Sequence, residues 1–171
     1  EEHAGQRRGQ AAKFDVDAAA GSASGDGSKA KPGKSLQAVS DAGKVETRNW
    51  ASLPYTTSSK LVTKNAGGPV KAGDTIYLLS GYHGELSISG HYNASFVTIE
   101  AAPGASPTLG SVVIRSSAGW HLKKLQVSRQ DAPKYTKKTL VVVQSHSWHG
   151  PTNDIIVERC TILSVADTTL W

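Results

Sequence analysis

In the second half of the chain, apolar residues fall in short alternating runs. Ile76 and Leu78, Val97 and Ile99, Trp120 and Leu122, and Ile155 and Val157 each form an apolar–x–apolar pair. Such a pair marks a strand with one buried face, because successive side chains of an extended chain point to opposite sides. The first members are spaced 21, 23 and 35 residues apart (76 to 97, 97 to 120, 120 to 155). A strand that returns every ~20–25 residues marks a solenoid, whose units bury their faces by stacking. The expected fold is therefore an all-β parallel β-helix. Ile76, Val97, Trp120 and Ile155 are expected in one column, and Leu78, Ile99, Leu122 and Val157 in the next.

From Gly73 onward the segments TIYLL, ELSIS, FVTIE, SVVIR, HLKKLQV, LVVVQ, DIIVE and CTIL read as strands, most of them separated by Gly, Pro or polar clusters. No long helical periodicity interrupts them, which argues against alternating strands and helices. Upstream, residues 1–12 are small, polar and basic and read as a flexible tail. Phe14-Asp15-Val16 reads as a short strand. Ser35 with Leu36 and Val39 reads as a capped amphipathic helix stopped by Gly43. Segments 45–50 and 60–63 are candidate short strands.

Two segments resemble a known family. FDVDAAAGSASGDGSKAKPGKSLQAV is similar to the N-terminal motif of right-handed parallel β-helix proteins of the pectate-lyase-like superfamily, and GDTIYLLSGYHGELSISG resembles the element that follows it there. NDIIVERCTILS resembles an ordinary rung. The resemblance spans residues 13–171 and implies a right-handed β-helix behind a short N-terminal capping helix. A cap suits the physics, since an open sheet edge recruits other strands. The chain stops in mid-pattern at SVADTTLW, and a solenoid needs caps at both ends. Residues 13–171 are thus expected to be the cap and first rungs of a longer protein.

Composition narrows the functional classes. The 171 residues carry a formal charge of +5, 38% hydrophobic residues, 17 glycines and no methionine. Glu1-Glu2 without an initiator suggests a processed or excised chain. No stretch approaches the ~18 apolar residues of a membrane span. Cys160 is the single cysteine, so no internal disulfide forms; it reads as a small buried hydrophobe. Basic residues cluster at Arg7-Arg8, Lys29 to Lys34, Lys123-Lys124 and Lys134 to Lys138. A positive surface attracts polyanions. No zinc spacing or helix-turn-helix pattern points to nucleic acid, so the expected partner is an acidic polysaccharide. Neither nucleic acid nor a membrane is expected. The oligomeric state is left open.

Candidate chemistry lies in two places. The third step of the repeat is twelve residues longer than the second (35 against 23), and the excess falls in RQDAPKYTKKT. Extra residues leave such a stack as a loop, and loops on a rigid scaffold carry binding groups. Arg129, Lys134 and Lys137 are the substrate-binding candidates there, with Tyr135 a candidate proton-transfer group. The second place is SHSWHGP, where Trp148 can stack on a sugar and His149 can transfer a proton. His146 and His149 lack a metal-ligand pattern, so no metal or other cofactor is expected. Asp15, Asp17 and Asp26 superficially resemble a calcium loop but miss its spacing and read as turn chemistry. Asn93-Ala94-Ser95 matches a glycosylation acceptor. Among Glu100, Asp154, Glu158 and Asp167 the sequence brings no carboxylate pair together.

The resemblance implies a secreted, periplasmic or cell-surface carbohydrate-active protein. The leading expectation is a lyase or epimerase acting on a uronate-containing polysaccharide, with catalytic residues that can lie beyond this chain. The alternative is a non-catalytic β-helix: an adhesin, a phage tail-fibre component or a glycan-binding module. A third is polyanion binding through charge alone.

Overall fold

A computed structural model describes residues 11–165. The expected tail lies outside these residues apart from positions 11 and 12, and so do Asp167 and the rest of 166–171.

The chain forms β1 (Lys13–Val16), α1 (Leu36–Asp41), β2 (Thr47–Trp50), β3 (Leu61–Lys64), β4 (Thr75–Leu78), β5 (Gly81–Tyr82), β6 (Glu85–Ser89) and β7 (Tyr92–Ala101). It continues through β8 (Pro107–Leu109), β9 (Ser111–Arg115), β10 (Ala118–Lys123), β11 (Gln126–Val127), β12 (Val141–Gln144), β13 (Asn153–Glu158) and β14 (Thr161–Ile162). All eight segments read as strands from Gly73 onward contain strand residues. The fold is all-β with one short helix. Three parallel sheets carry it, ordered β1-β4-β7-β10-β13, β5-β8-β11-β14 and β6-β9-β12, beside an antiparallel β2–β3 hairpin. From β4 onward the chain visits the three parallel sheets in fixed rotation.

The register corrects one expectation. Val97 pairs with Trp120 and Trp120 with Ile155, and Ile99, Leu122 and Val157 likewise lie side by side. Ile76, however, sits beside Ile99, and Leu78 beside Ala101. The first step is thus 23 residues (76 to 99), equal to the second. Val97, Ile99 and Ala101 alternate, so a slip of two residues buries the same face and the sequence does not separate the two alignments. β7 also carries a bulge: Ala118 pairs with Tyr92, but Trp120 pairs with Val97. Asn93 pins this bulge, accepting from Thr47 Oγ1 at 2.7 Å and donating to Gly119 O at 3.1 Å. Asn93 is buried with its amide engaged, so in the folded chain this acceptor motif is closed to a glycan.

Inward residues of the three sheets form one core that includes Phe14, Ile76, Leu86, Ile99, Val112, Trp120 and Leu122. Helix α1 closes one end of it. Ser35 caps the helix by accepting from Ala38 N–H, and Leu36 and Val39 are buried. Gln37 Oε1 accepts the Ser87 N–H at 2.7 Å, satisfying an edge donor of β6. In the Gly25-Asp26-Gly27-Ser28 turn, a Cβ on Gly27 would lie 2.1 Å from the Phe14 ring, and its φ is +82°. Only glycine fits there.

Candidate functional site

The outer face of β6-β9-β12 is framed at both ends. Alternation on β6 sends Leu86 and Ile88 inward and leaves Glu85, Ser87 and Ser89 outside. Ser89 pairs with Arg115, and Arg115 with Gln144, giving a polar row across the sheet. The loop 129–138 enters β12 at one end, and the turn 145–150 leaves it at the other. A strand this short separates them by about 13 Å at ~3.3 Å per residue. The two segments singled out from the sequence therefore stand at opposite ends of one face and line different pockets.

At the turn end, the hairpin β2–β3 and α1 overhang the face and form a groove with two chambers. One, of 320 Å³, is lined by Ser40, Asp41, Asn65, Ser87 and His91 among others. The second, of 220 Å³, is lined by Asn49, Trp50, Leu53, Gly90 and His149. Lys64 and Ser89 line both. Aromatic packing fixes the wall: Trp50 lies 4.7 Å from Tyr55 and 5.0 Å from Tyr92, centroid to centroid. Tyr92 Oη donates to Pro151 O at 2.9 Å, and Tyr55 N–H donates to Trp148 O at 2.8 Å. Gly150 has φ +97°, and a Cβ there would stand 2.4 Å from Trp50 Nε1.

Burial sets the electrostatics of this groove. It pushes the Lys64 ammonium below its ordinary value. Lys64 Nζ donates to Gly90 O at 3.2 Å. Burial first, then the charge of Lys64, lowers His91 to about 4. His91 Nδ1 lies 2.9 Å from Ser89 O. A carbonyl only accepts, so Nδ1 carries the proton and Nε2 is left as a buried acceptor without a partner. The groove thus combines an amine closer to neutrality, small hydroxyls and an aromatic wall.

Of the residues expected from the sequence, His149 reaches this groove. Its Nδ1 lies 3.1 Å from His146 Nδ1. Trp148 is 69% exposed and lines neither chamber. At the opposite end, Arg129, Tyr135 and Lys137 meet Lys138 and Leu140 around a pocket of 130 Å³. Arg129 is buried against Glu85, which also holds Lys138. Lys134 is exposed. Lys64, His91 and Trp50 were not anticipated. Nothing in their local pattern shows them, because the hairpin is seated by distant bonds: Thr47 to Asn93 and Arg48 Nε to Tyr92 O.

Other regions hold charge without convergence. A cavity of 840 Å³ on the outer face of β1 and β4 is lined by Lys13, Asp15, Asp17, Lys29 and Tyr77. Lys13 lies over the Tyr77 ring, and Asp17 accepts from the Ala19 and Ala20 N–H groups, which hold its carboxyl below the usual range. Asp26 accepts from Ser28 N–H in the same manner. Among the described residues no group of three or more His, Cys, Asp or Glu is placed to hold a metal. Glu100 and Glu158 are separated by Lys123 in register and are tied to Lys124 and His121 at 2.9 Å each. Cys160 is half-buried against the core. No described helix is long and apolar enough to cross a membrane. No protein family, curated protein or solved structure matches this chain.

Proposed function

We propose that this chain is part of a secreted or cell-surface right-handed parallel β-helix protein, similar to the pectate-lyase-like superfamily. In this reading it binds a uronate-containing polysaccharide along the outer face of β6-β9-β12 and acts on it as a lyase or epimerase. The architecture is supported by the rotation of the chain through three parallel sheets and by the two equal steps of 23 residues (76 to 99, 97 to 120). Parallel crossovers are right-handed in nearly all proteins. The function rests on one observation: Lys64, half-buried with a lowered pKa, lines a groove with Trp50 and His149.

Removing the C5 proton of a uronate needs a base and a cation for the developing enolate. Lys64 in its neutral form takes the proton. Arg115, outward beside Ser89, faces the carboxylate. In elimination the C5–H electrons form the C4=C5 bond, the C4–O bond breaks, and the leaving oxygen takes a proton from His149. In epimerisation a proton returns to C5 from the opposite face. A non-catalytic role as adhesin, tail-fibre component or glycan-binding module is favoured by a separate observation. Arg129 and Lys138 are both already engaged by the single carboxylate of Glu85, and His149 is paired to His146.

The test is incubation with alginate and pectate, following unsaturated uronate and C5 inversion. Product from wild type, lost in Lys64→Ala with binding kept, supports the enzyme. Binding without product supports the module. Absence of both contradicts the reading.

A further inference from the structure

Glu85 begins β6 and projects from its outer face, 40% exposed. Its two carboxylate oxygens hold two cations of the 129–138 loop, Arg129 through Nη1 and Lys138 at 2.5 Å. These bonds hold the Glu85 carboxyl below the usual range, Lys138 first and Arg129 second. Arg129 is only 7% exposed; its Nη2 donates to Thr136 Oγ1 at 2.7 Å, and its Nε has no partner. A guanidinium so buried needs an anion beside it. The anion it has comes from a half-exposed side chain at a strand end, which can leave without disturbing the core.

The pocket beside Arg129 is small and cationic. Lys137, Lys138 and Tyr135 line it, with Leu140 and Val165 as its apolar wall. Lys137 makes no ion pair with a described residue. Exposed Asp131, two residues beyond Arg129, and the Tyr82 phenol, pushed up mainly by burial, are the other titratable groups nearby.

The geometry points to Glu85 as an internal competitor: its carboxylate occupies the place on Arg129 and Lys138 that the carboxylate of a bound uronate unit takes when Glu85 swings out. This rests on the polysaccharide reading and locates one subsite for it. A carboxylate on a paired guanidinium and ammonium makes the strong, charge-assisted class of hydrogen bond. An internal carboxylate in the same place lowers apparent affinity by the fraction of time it is bound.

The experiment titrates wild type and Glu85→Gln with a digalacturonate, a pectate polymer, a neutral disaccharide and acetate at low salt. Amide and Arg129 Nε–H resonances are followed by NMR. Glu85→Gln is expected to bind digalacturonate about tenfold more tightly than wild type. The gain should vanish in Glu85→Gln/Lys138→Ala, and the neutral sugar should leave the loop resonances unmoved. Acetate should shift the same loop resonances in Glu85→Gln. An affinity unchanged or lowered in a folded Glu85→Gln overturns the assignment. If that variant does not fold, Glu85→Asp, which withdraws the carboxylate by one methylene, is expected to show a gain of the same sign. Loop shifts with acetate and digalacturonate, while polymer leaves Lys64 and Ser89 unmoved, would keep the exchange and remove the polysaccharide reading.

Discussion

The two ends of the stacked sheets carry the same inward chemistry in opposite surroundings. Near α1, Ile76, Leu78, Leu86 and Ile88 are at most 1% exposed. On the last described strand of each sheet, Val143, Val157 and Ile162 are 48%, 43% and 48% exposed. Leu86 has α1 beside it, while among the described residues no strand pairs beyond β12, β13 or β14. Alternation along a strand decides which side chains turn inward. Burial is decided by what stacks above and below. The aliphatic content of a segment therefore says little about its contribution to stability until its neighbours are known.

The largest effect should come from truncating the middle of the stack. Leu122→Ala and Ile99→Ala each leave a cavity flanked on both sides and should cost ~2–5 kcal/mol. Val157→Ala and Val143→Ala, at the exposed positions of the last described strands, should cost under ~1 kcal/mol in the same urea unfolding experiment. Equal losses in the middle and on the last described strands would erase the contrast.

Acid should act next, and at the covered end. His91 is held at about 4, mainly by burial, and burial lowers His83 as well. The unfolded chain protonates His91 near ~6.5 while the folded chain keeps it neutral down to about 4. Stability is therefore expected to fall as pH drops from ~6.5 towards 4, by roughly 2–3 kcal/mol for His91. His91→Asn should flatten that slope in unfolding curves taken at several pH values. A smaller change is expected from the helix cap: Ser35→Ala removes the bond to Ala38 N–H and should cost ~1 kcal/mol. The smallest concerns Lys134, exposed and without an ion pair among the described residues. Lys134→Ala should leave stability within ~0.5 kcal/mol and only reduce the salt dependence of polyanion binding.

Much of the strand order was legible because alternation is local. Trp120, Leu122 and their partners announce themselves within five residues, as does the Ser35 cap. The alignment of Ile76 was not legible, because a slip of two residues preserves the face. The groove was not legible either. Lys64 and His91 meet only because β2–β3 folds back onto the bulge of β7, through bonds spanning 44 and 46 residues. Arg129 was visible as a cation in an insertion. Its partner Glu85, 44 residues away, was not.

The most direct test of the proposed function compares binding of alginate, pectate and a neutral glucan by the intact chain, at low and at moderate salt. A shaped groove predicts preference for one uronate polymer, kept at moderate salt and weakened by Arg115→Ala, the residue placed against the carboxylate. Equal binding of both anionic polymers that disappears with salt, or no binding at all, would contradict it.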